Sequence, residues 1–293
     1  MATVAHLIDA SPFVFRAYFS LPSSMRSPAG DPVAAVYGFA GFLAQYLKDE
    51  APEYVGVYFD GSLTTSFRNE VYPEYKAGRD LPPPELEAQL ADCQAVAQAF
   101  GLYDWIDDRY EADDGIGARV AQLRKAGVHS VVVSPDKDMA QVVDETTELY
   151  DFSKQRRYGP AEVHERWGVR PEQVRDLLGL AGDSVDNIPG VRGVGPKTAT
   201  ALLAAFDDLE ALYGDLDAVA GLPIRGAKTL GKKLLEAKEM AFLSRDLATL
   251  AVEAPCKGDL EVLAWTGADR SRVEPLFERL GFDRLIQRIP RWQ

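Results

Sequence analysis

The sequence predicts an α/β fold, a doubly wound and mostly parallel sheet flanked by helices, followed by a smaller helical domain. Two observations carry this. Three short apolar runs, at 4–8, 55–59 and 130–134, are separated by stretches of helical periodicity such as 33–48 and 86–100, the alternation expected of parallel strands with crossover helices. Beyond about residue 171 the strands thin out and helical segments punctuated by Gly and Pro take over. The division expected is 1–170 for the α/β domain and 171–293 for the helical one. In chain order, the run at 4–8 starts almost at Met1 and reads as a strand, not a signal peptide. The segment 73–84 holds Tyr75, Lys76, Arg79 and Pro82-Pro83-Pro84, poor material for a strand or an uninterrupted helix, and reads as a mobile excursion. Gly190-Val191-Arg192-Gly193-Val194-Gly195 reads as a tight turn between helices. No repeat at the scale of about 20 to 50 residues and no low-complexity tract is visible.

With 293 residues and 46% hydrophobic content, the chain has material for a sizeable core. No apolar run approaches the ~20 residues needed to cross a bilayer, so the expected location is the cytoplasm. Cys93 and Cys256 are the only cysteines, far apart and outside any Cys-x-x-Cys spacing, which argues against a disulfide framework or a thiolate zinc site. His6, His129 and His164 are equally scattered, so metal binding must run through oxygen ligands. The formal net charge of −13 argues against a broad basic footprint, and any nucleic-acid contact must be local.

Each apolar run ends in an acid: Asp9, Asp60 and, two residues past Ser134, Asp136. The carboxyl ends of parallel strands share one rim, where ligands bind. Two more groups come from expected helix starts, Glu111-Ala112-Asp113-Asp114 ahead of Ile116, Val120 and Leu123, and Asp136-Lys137-Asp138 ahead of 139–143. The spacing puts Glu111 and Asp114 on one helix face. Asp9, Asp60, Glu111, Asp113, Asp114, Asp136 and Asp138 could not share a pocket as bare ions, because like charges a few ångströms apart raise each other's pKa. Divalent cations resolve the conflict, and an oxygen-only donor set selects hard ions: Mg²⁺ foremost, Mn²⁺ as substitute, zinc disfavoured. Singly, each acid is equally readable as a cap or turn former. The convergence of Asp9, Asp60 and the Asp113-Asp114 pair carries the metal reading.

Asp183 and Asp186, in Gly182-Asp183-Ser184-Val185-Asp186-Asn187, are expected at a helix start that points both the same way. They could complete a second metal position, or merely cap the helix. The turn that follows nearly spells a P-loop, but Pro196 stands between Gly195 and Lys197 and no strand precedes it. What remains is either a plain inter-helix turn or a glycine hairpin whose amides hold a phosphate beside Arg192 and Lys197. In the excursion, Arg68, Lys76 and Arg79 sit among Phe67, Tyr72 and Tyr75, pairing cations for phosphates with rings for stacking on bases. The alternative is a solvated loop with snorkelling cations.

Over residues 4–265 the chain resembles the 5′-nuclease domain of bacterial DNA polymerase I and its flap-endonuclease relatives. The resemblance rests on residues 9–16, Ala35-Val36-Tyr37-Gly38-Phe39, Phe59-Asp60-Gly61, Phe67-Arg68-Asn69-Glu70, Tyr75-Lys76-Ala77-Gly78-Arg79, Tyr110-Glu111-Ala112-Asp113-Asp114, Asp136-Lys137-Asp138 and residues 182–198, in that order and spacing. It implies that Asp9, Asp60, Glu111, Asp113 and Asp114 serve a first metal, and Asp136, Asp138, Asp183 and Asp186 a second. It implies catalytic roles for Lys76, Arg79 and Asp114, with Lys76 and Arg79 at the base of a helical arch or clamp near 68–100 and in contact with the scissile phosphate. Arg16, Arg68 and Tyr75 would shape the approach of DNA. Arg192, Gly193, Gly195 and Lys197 would hold duplex backbone in a helix-hairpin-helix-type DNA-binding motif at 180–205. There K⁺ would sit on main-chain oxygens of Leu180, Ala181, Pro189, Val191 and Val194. Two departures stand out: Ala10 replaces the glycine usual after the first aspartate, and the chain ends at Gln293 with no polymerase attached. The second gives the expectation of an independent enzyme working with a separate polymerase or ligase, and nothing in the sequence demands more than a monomer.

The function so implied is a structure-specific 5′-nuclease, both 5′-3′ exonuclease and flap endonuclease, acting in primer removal and repair on DNA with 5′ flaps, overhangs or gaps. Two-metal-ion hydrolysis would leave 5′-phosphate and 3′-hydroxyl ends. Two rivals are weighed. A phosphatase with an aspartate nucleophile needs a second aspartate two residues after the first, which Asp9-Ala10-Ser11 lacks. A non-catalytic junction binder of the same fold remains, and the intact set of acids argues against it.

Overall fold

The structure is a computed structural model that describes residues 2–62, 65–79 and 82–293. Its centre is one six-stranded sheet built from β1 (Val4–Asp9), β2 (Tyr54–Asp60), β3 (Tyr103–Asp107), β4 (His129–Val133), β5 (Thr147–Asp151) and β6 (Arg156–Tyr158), in the order β3-β2-β1-β4-β5-β6. Every neighbouring pair is parallel except β5 with β6. The strand order reverses beside β1, so the carboxyl ends of β1, β2 and β4 open on the crevice where sheets of this kind bind ligands. The sequence pattern reveals those three strands because they are buried on both faces. It conceals β3 and β6, which lie at the edges, and β5, whose Glu148 interrupts the apolar run.

In chain order the helices are α1 (Ser11–Ser20), α2 (Ala34–Glu50), α3 (Phe67–Val71), α4 (Pro84–Ala99), α5 (Ala112–Lys125), α6 (Pro160–Trp167), α7 (Val174–Ala181), α8 (Pro196–Ala205), α9 (Leu209–Gly214), α10 (Ala227–Glu236), α11 (Lys238–Ala248), α12 (Arg270–Leu280) and α13 (Asp283–Ile286). In α2, Val36, Phe39, Leu43 and Leu47 recur at helical spacing and are all buried against one face of the sheet. The same face takes Leu86, Cys93 and Val96 of α4 and, returning from the far end of the chain, Phe277 and Leu285. Residues 265–289 therefore close the α/β core and do not stay with the helical unit. On the other face lies α5, with Ile116, Val120 and Leu123 inward, acids in its first turn and Arg124 and Lys125 in its last, as the helix dipole favours. The helical unit of α7 to α11 shares that second core through Leu178, Leu202 and Leu234.

Three local expectations change. Residues 138–142 form a short 3₁₀ turn instead of an α-helix. The helical arch expected near 68–100 cannot extend through α4, whose apolar stripe is buried in the core. Residues 80–81 of the expected excursion lie outside the described residues, and 73–79 are tied down: Asn187 Nδ2 donates to Glu74 O at 2.6 Å and Lys76 N to Asp186 O at 2.9 Å. No helix among the described residues is long and apolar enough to cross a membrane.

Candidate metal centre

Seven of the nine expected acids, Asp9, Asp60, Glu111, Asp113, Asp136, Asp138 and Asp186, line one cavity of about 440 Å³ with Lys76 and Arg79 at its side. Each strand end delivers its acid as the sequence predicts. Asp9 closes β1 and its Oδ2 accepts from Ser134 Oγ at 2.8 Å; Asp60 closes β2 and accepts from Ser11 Oγ at 2.5 Å and from Ala112 N at 2.8 Å. Glu111 is the residue before the first turn of α5, and Asp113 lies within that turn. Asp136 follows β4, its backbone N–H donating to Ser134 Oγ at 3.0 Å. A second, larger cavity of about 750 Å³ shares Ser11 and Asp60 with the first and is walled by apolar Val14, Phe59, Leu90 and Ile106.

Burial and mutual repulsion set the electrostatics. Burial, then the charges of Asp60 and Asp136, push Asp9 up to about 8 against the pull of Ser134. Asp138 is raised to about 7 by burial and then by Asp136. Asp60 is raised by burial and then Glu111, and Asp113 rises well above its ordinary value through burial, Asp114 and Glu111. Glu111 runs the other way: burial would raise it, but Lys76 and Arg68 outweigh that and hold it low. Asp138 Oδ1 is buried with no hydrogen-bond partner among the described residues, the Lys137 ammonium standing 3.9 Å away, beyond hydrogen-bond reach. An all-oxygen donor set with protonation forced on it and a buried oxygen left orphaned fits a hard divalent cation. Side-chain cations already sit on part of the rim: Lys76 Nζ on Glu111 Oε1 at 2.6 Å, Arg79 on Asp186, and Lys137 Nζ on Asp183 Oδ2 at 2.5 Å.

Five of the expected residues, Arg16, Arg68, Tyr75, Asp114 and Asp183, lie outside the acid cavity, and Asp186 reaches it from a loop instead of a helix start. Asp114 is fully buried behind the cavity, and its four lone-pair positions are filled: Oδ1 by Arg68 Nη2 and Ala251 N, both at 2.8 Å, and Oδ2 by Arg68 Nη1 at 2.8 Å and Glu111 N at 3.1 Å. A carboxylate oxygen of Asp114 does lie within 4.8 Å of oxygens of Glu111 and Asp113, but proximity leaves it no free acceptor. Arg68 is 2% exposed and so cannot face DNA; besides Asp114 it reaches Leu247 O at 2.7 Å and Thr249 O at 3.0 Å. Tyr75 is likewise buried, its hydroxyl donating to Glu111 at 3.1 Å and Asp186 at 3.2 Å instead of its ring stacking on a base. Asp183 and Asp186 do not open a helix. Gly182, at φ +72°, ends α7, and the two acids diverge in the loop beyond it, Asp183 toward Lys137 and Asp186 toward Arg79. Arg16, exposed on α1, bonds Ser153 at the edge of a separate cavity.

Between α7 and α8 the glycine turn is built as expected. Gly190, at φ +61°, admits no side chain, because a Cβ there would stand 2.3 Å from Gly182 N. Arg192, Gly193, Gly195 and Lys197 are exposed, whereas the side chains of Val191 and Val194 are buried. The carbonyls of Leu180 and Val191 each accept one amide, from Val191 at 2.8 Å and Val194 at 2.9 Å.

Two family models match consecutive parts of the sequence: 5′-3′ exonuclease, N-terminal resolvase-like domain, over residues 4–168, and 5′-3′ exonuclease, C-terminal SAM fold, over residues 169–271. The chain belongs to the 5′-3′ exonuclease family. Among curated relatives of this exonuclease-family chain are DNA polymerase I of Bacillus subtilis (strain 168), 39% identical over 287 residues, and that of Pseudomonas aeruginosa, 39% identical over 277. The first alignment covers 97% of this chain and 32% of the relative, the second 94% and 30%, so the chain spans about a third of their length. Among solved structures, T5 5′-exonuclease with zinc bound superposes with a TM-score of 0.70 at 19% identity, covering 97% of this chain and 98% of that one. The catalytic core of Rad2 in complex with DNA substrate gives 0.64 at 16% identity, with 97% and 92% covered. Both share the fold.

In this family member the sequence reading overlooked Ser11, Ser134 and Lys137. Each had a signal: Ser11 and Ser134 stand within two residues of a candidate acid, and Lys137 lies between two of them. The raised acids also give a pH prediction. Asp9 and Asp138 keep protons in the folded state at pH values where the unfolded chain has lost them, so without metal their contribution to stability falls as pH rises through about 7 and about 8. His6, lowered to about 4 by burial and then Arg157, works in the opposite sense only below its ordinary 6.5. With chelator, the urea midpoint should therefore drop between about pH 6.5 and about pH 9, and a divalent cation should restore most of it at the upper pH. A flat midpoint across that window with chelator would contradict the assignment.

Proposed function

We propose that the chain is a Mg²⁺-dependent 5′-nuclease, combining 5′-3′ exonuclease and flap-endonuclease action on DNA with 5′ flaps, overhangs or gaps. The observation that carries it is the single cavity lined by seven acids, with Lys76 and Arg79 beside them. Asp9, Asp60, Glu111 and Asp113 would hold one divalent ion, and Asp136, Asp138 and Asp186 a second, with Mn²⁺ as substitute. When bound, two such ions acidify water and neutralise charge on the leaving oxygen. Asp183 supports the second group through Lys137, and Asp114 supports the first through Arg68 and the amide of Glu111. Lys76 stands at the cavity wall, where it would meet the scissile phosphate, and Arg79 does so from the rim. Exposed Arg192, Gly193, Gly195 and Lys197 would hold duplex backbone, with K⁺ on the carbonyls of Leu180, Ala181, Pro189, Val191 and Val194. Arg16, exposed on α1, would meet the strand leading to the cavity. Structures of this fold include a T5 flap endonuclease in complex with DNA and metal ions and the catalytic core of Rad2 with DNA substrate, which supports the substrate class.

The test is cleavage of a 5′-labelled flap duplex with Mg²⁺ and with chelator, for wild type and Asp113→Asn. Mg²⁺-dependent release of short 5′ fragments that disappears in Asp113→Asn, while flap binding in Ca²⁺ persists, is the expected outcome. Tight binding by wild type without any cutting would make the chain a junction binder.

A further inference from the structure

Most cations near the acid cavity are engaged: Lys76, Arg79 and Lys137 on carboxylates, Arg68 on Asp114. Around the glycine turn they are not. Arg192, Lys197 and Lys233 are exposed, and among the described residues none has an ion pair or side-chain hydrogen bond. Lys233 reaches this group from α10, about forty residues further along the chain. Its Nζ lies 3.9 Å from the point where a Cβ on Gly193 would stand. Gly193 has φ +86° and no side chain, so the ammonium and the exposed backbone of the turn border the same open space. In a chain of net charge −13, Lys233 does have an acid within helical reach, Glu236. Glu236, one turn along the same helix, instead pairs with Lys232 at 3.8 Å.

We propose that Lys233 is a phosphate-binding residue, contacting the same stretch of duplex backbone as the 190–195 turn. This rests on the nuclease reading above and deepens it: the DNA surface is assembled from two separate helices, α8 and α10, and not from the hairpin alone. Without a side chain at Gly193, a phosphate can approach the turn amides and the ammonium together. One cation from outside the motif adds sequence-independent affinity through counterion release and carries no base readout.

The experiment is fluorescence anisotropy of a labelled 5′-flap duplex, with Ca²⁺ in place of Mg²⁺, across a sodium chloride series. Lys233→Gln is expected to weaken binding and make the slope of log affinity against log salt shallower by about 0.9, the share of one phosphate contact. Lys233→Arg should keep the wild-type slope. Lys228→Gln removes the same charge from the same helix about 140° round its axis and should leave the slope in place. An unchanged slope in Lys233→Gln overturns the proposal, and so does an equal loss in Lys228→Gln, which would make the effect one of net charge. Both are distinct from a wild type that fails to bind the flap at any salt, an outcome that sinks the nuclease reading itself.

Discussion

Arg68→Ala should cost about 3–5 kcal/mol of folding stability, the range for removing one partner of a buried ion pair. The guanidinium uses its donors on Asp114 twice, on Leu247 O and Thr249 O, and at 3.5 Å on Glu111. It also lies 4.7 Å from the Phe67 ring centroid. Truncation would strand the buried carboxylate of Asp114 with two amides as its remaining partners and leave two carbonyls near the end of α11 without their donor. Against a total stability of about 5–15 kcal/mol, such a loss is large enough to show as a sharp fall in the urea midpoint. Arg68→Lys should recover little of it, because a point-charge ammonium cannot make the bidentate contact. A variant with wild-type midpoint but weakened flap binding would reverse this assignment and return Arg68 to the DNA surface.

The misreading of Arg68 shows where sequence inference stops. An arginine beside aromatic residues in a Pro-rich stretch has the composition of a nucleic-acid contact, and nothing local announces that its carbonyl partner is Leu247, 179 positions away. Tyr75 fails for the same reason, since its hydroxyl is claimed by Glu111 and Asp186 from two other segments. By contrast the acids at the ends of β1 and β2 were legible, because a parallel strand fixes the direction of its carboxyl end and the sheet brings those ends to one rim. Asp114 and Asp183 are intermediate cases. Chain position brings them to the right neighbourhood, while four hydrogen bonds to Asp114 and the Lys137 ammonium on Asp183 keep both out of the cavity lining, contacts with segments that no local pattern announces.

Lys76→Ala should lower turnover on a flap substrate by about 10²–10³ while changing flap affinity in Ca²⁺ far less, the signature of a charge contact that strengthens as the transition state forms. The backbone already shows that this side chain is placed with care. Lys76 is a non-glycine residue at φ +56°, a conformation that persists only when its surroundings enforce it. Here Lys76 N donates to Asp186 O at 2.9 Å and Asn69 Nδ2 donates to Tyr75 O at 2.8 Å. The ammonium stands 2.6 Å from Glu111 and 5.1 Å from the Tyr75 ring centroid, and it lines the cavity. Burial alone would lower its pKa, but Glu111, Asp186 and Asp113 outweigh that and keep it charged. A fixed positive charge on the wall of an acidic cavity, away from the glycine turn proposed to hold duplex, has most to gain from charge building on the phosphoryl oxygens. Single-turnover rates with separately measured binding constants test this. Equal losses of rate and affinity would make Lys76 a plain DNA-binding residue, and an unchanged rate would leave its contact with Glu111 as a structural ion pair.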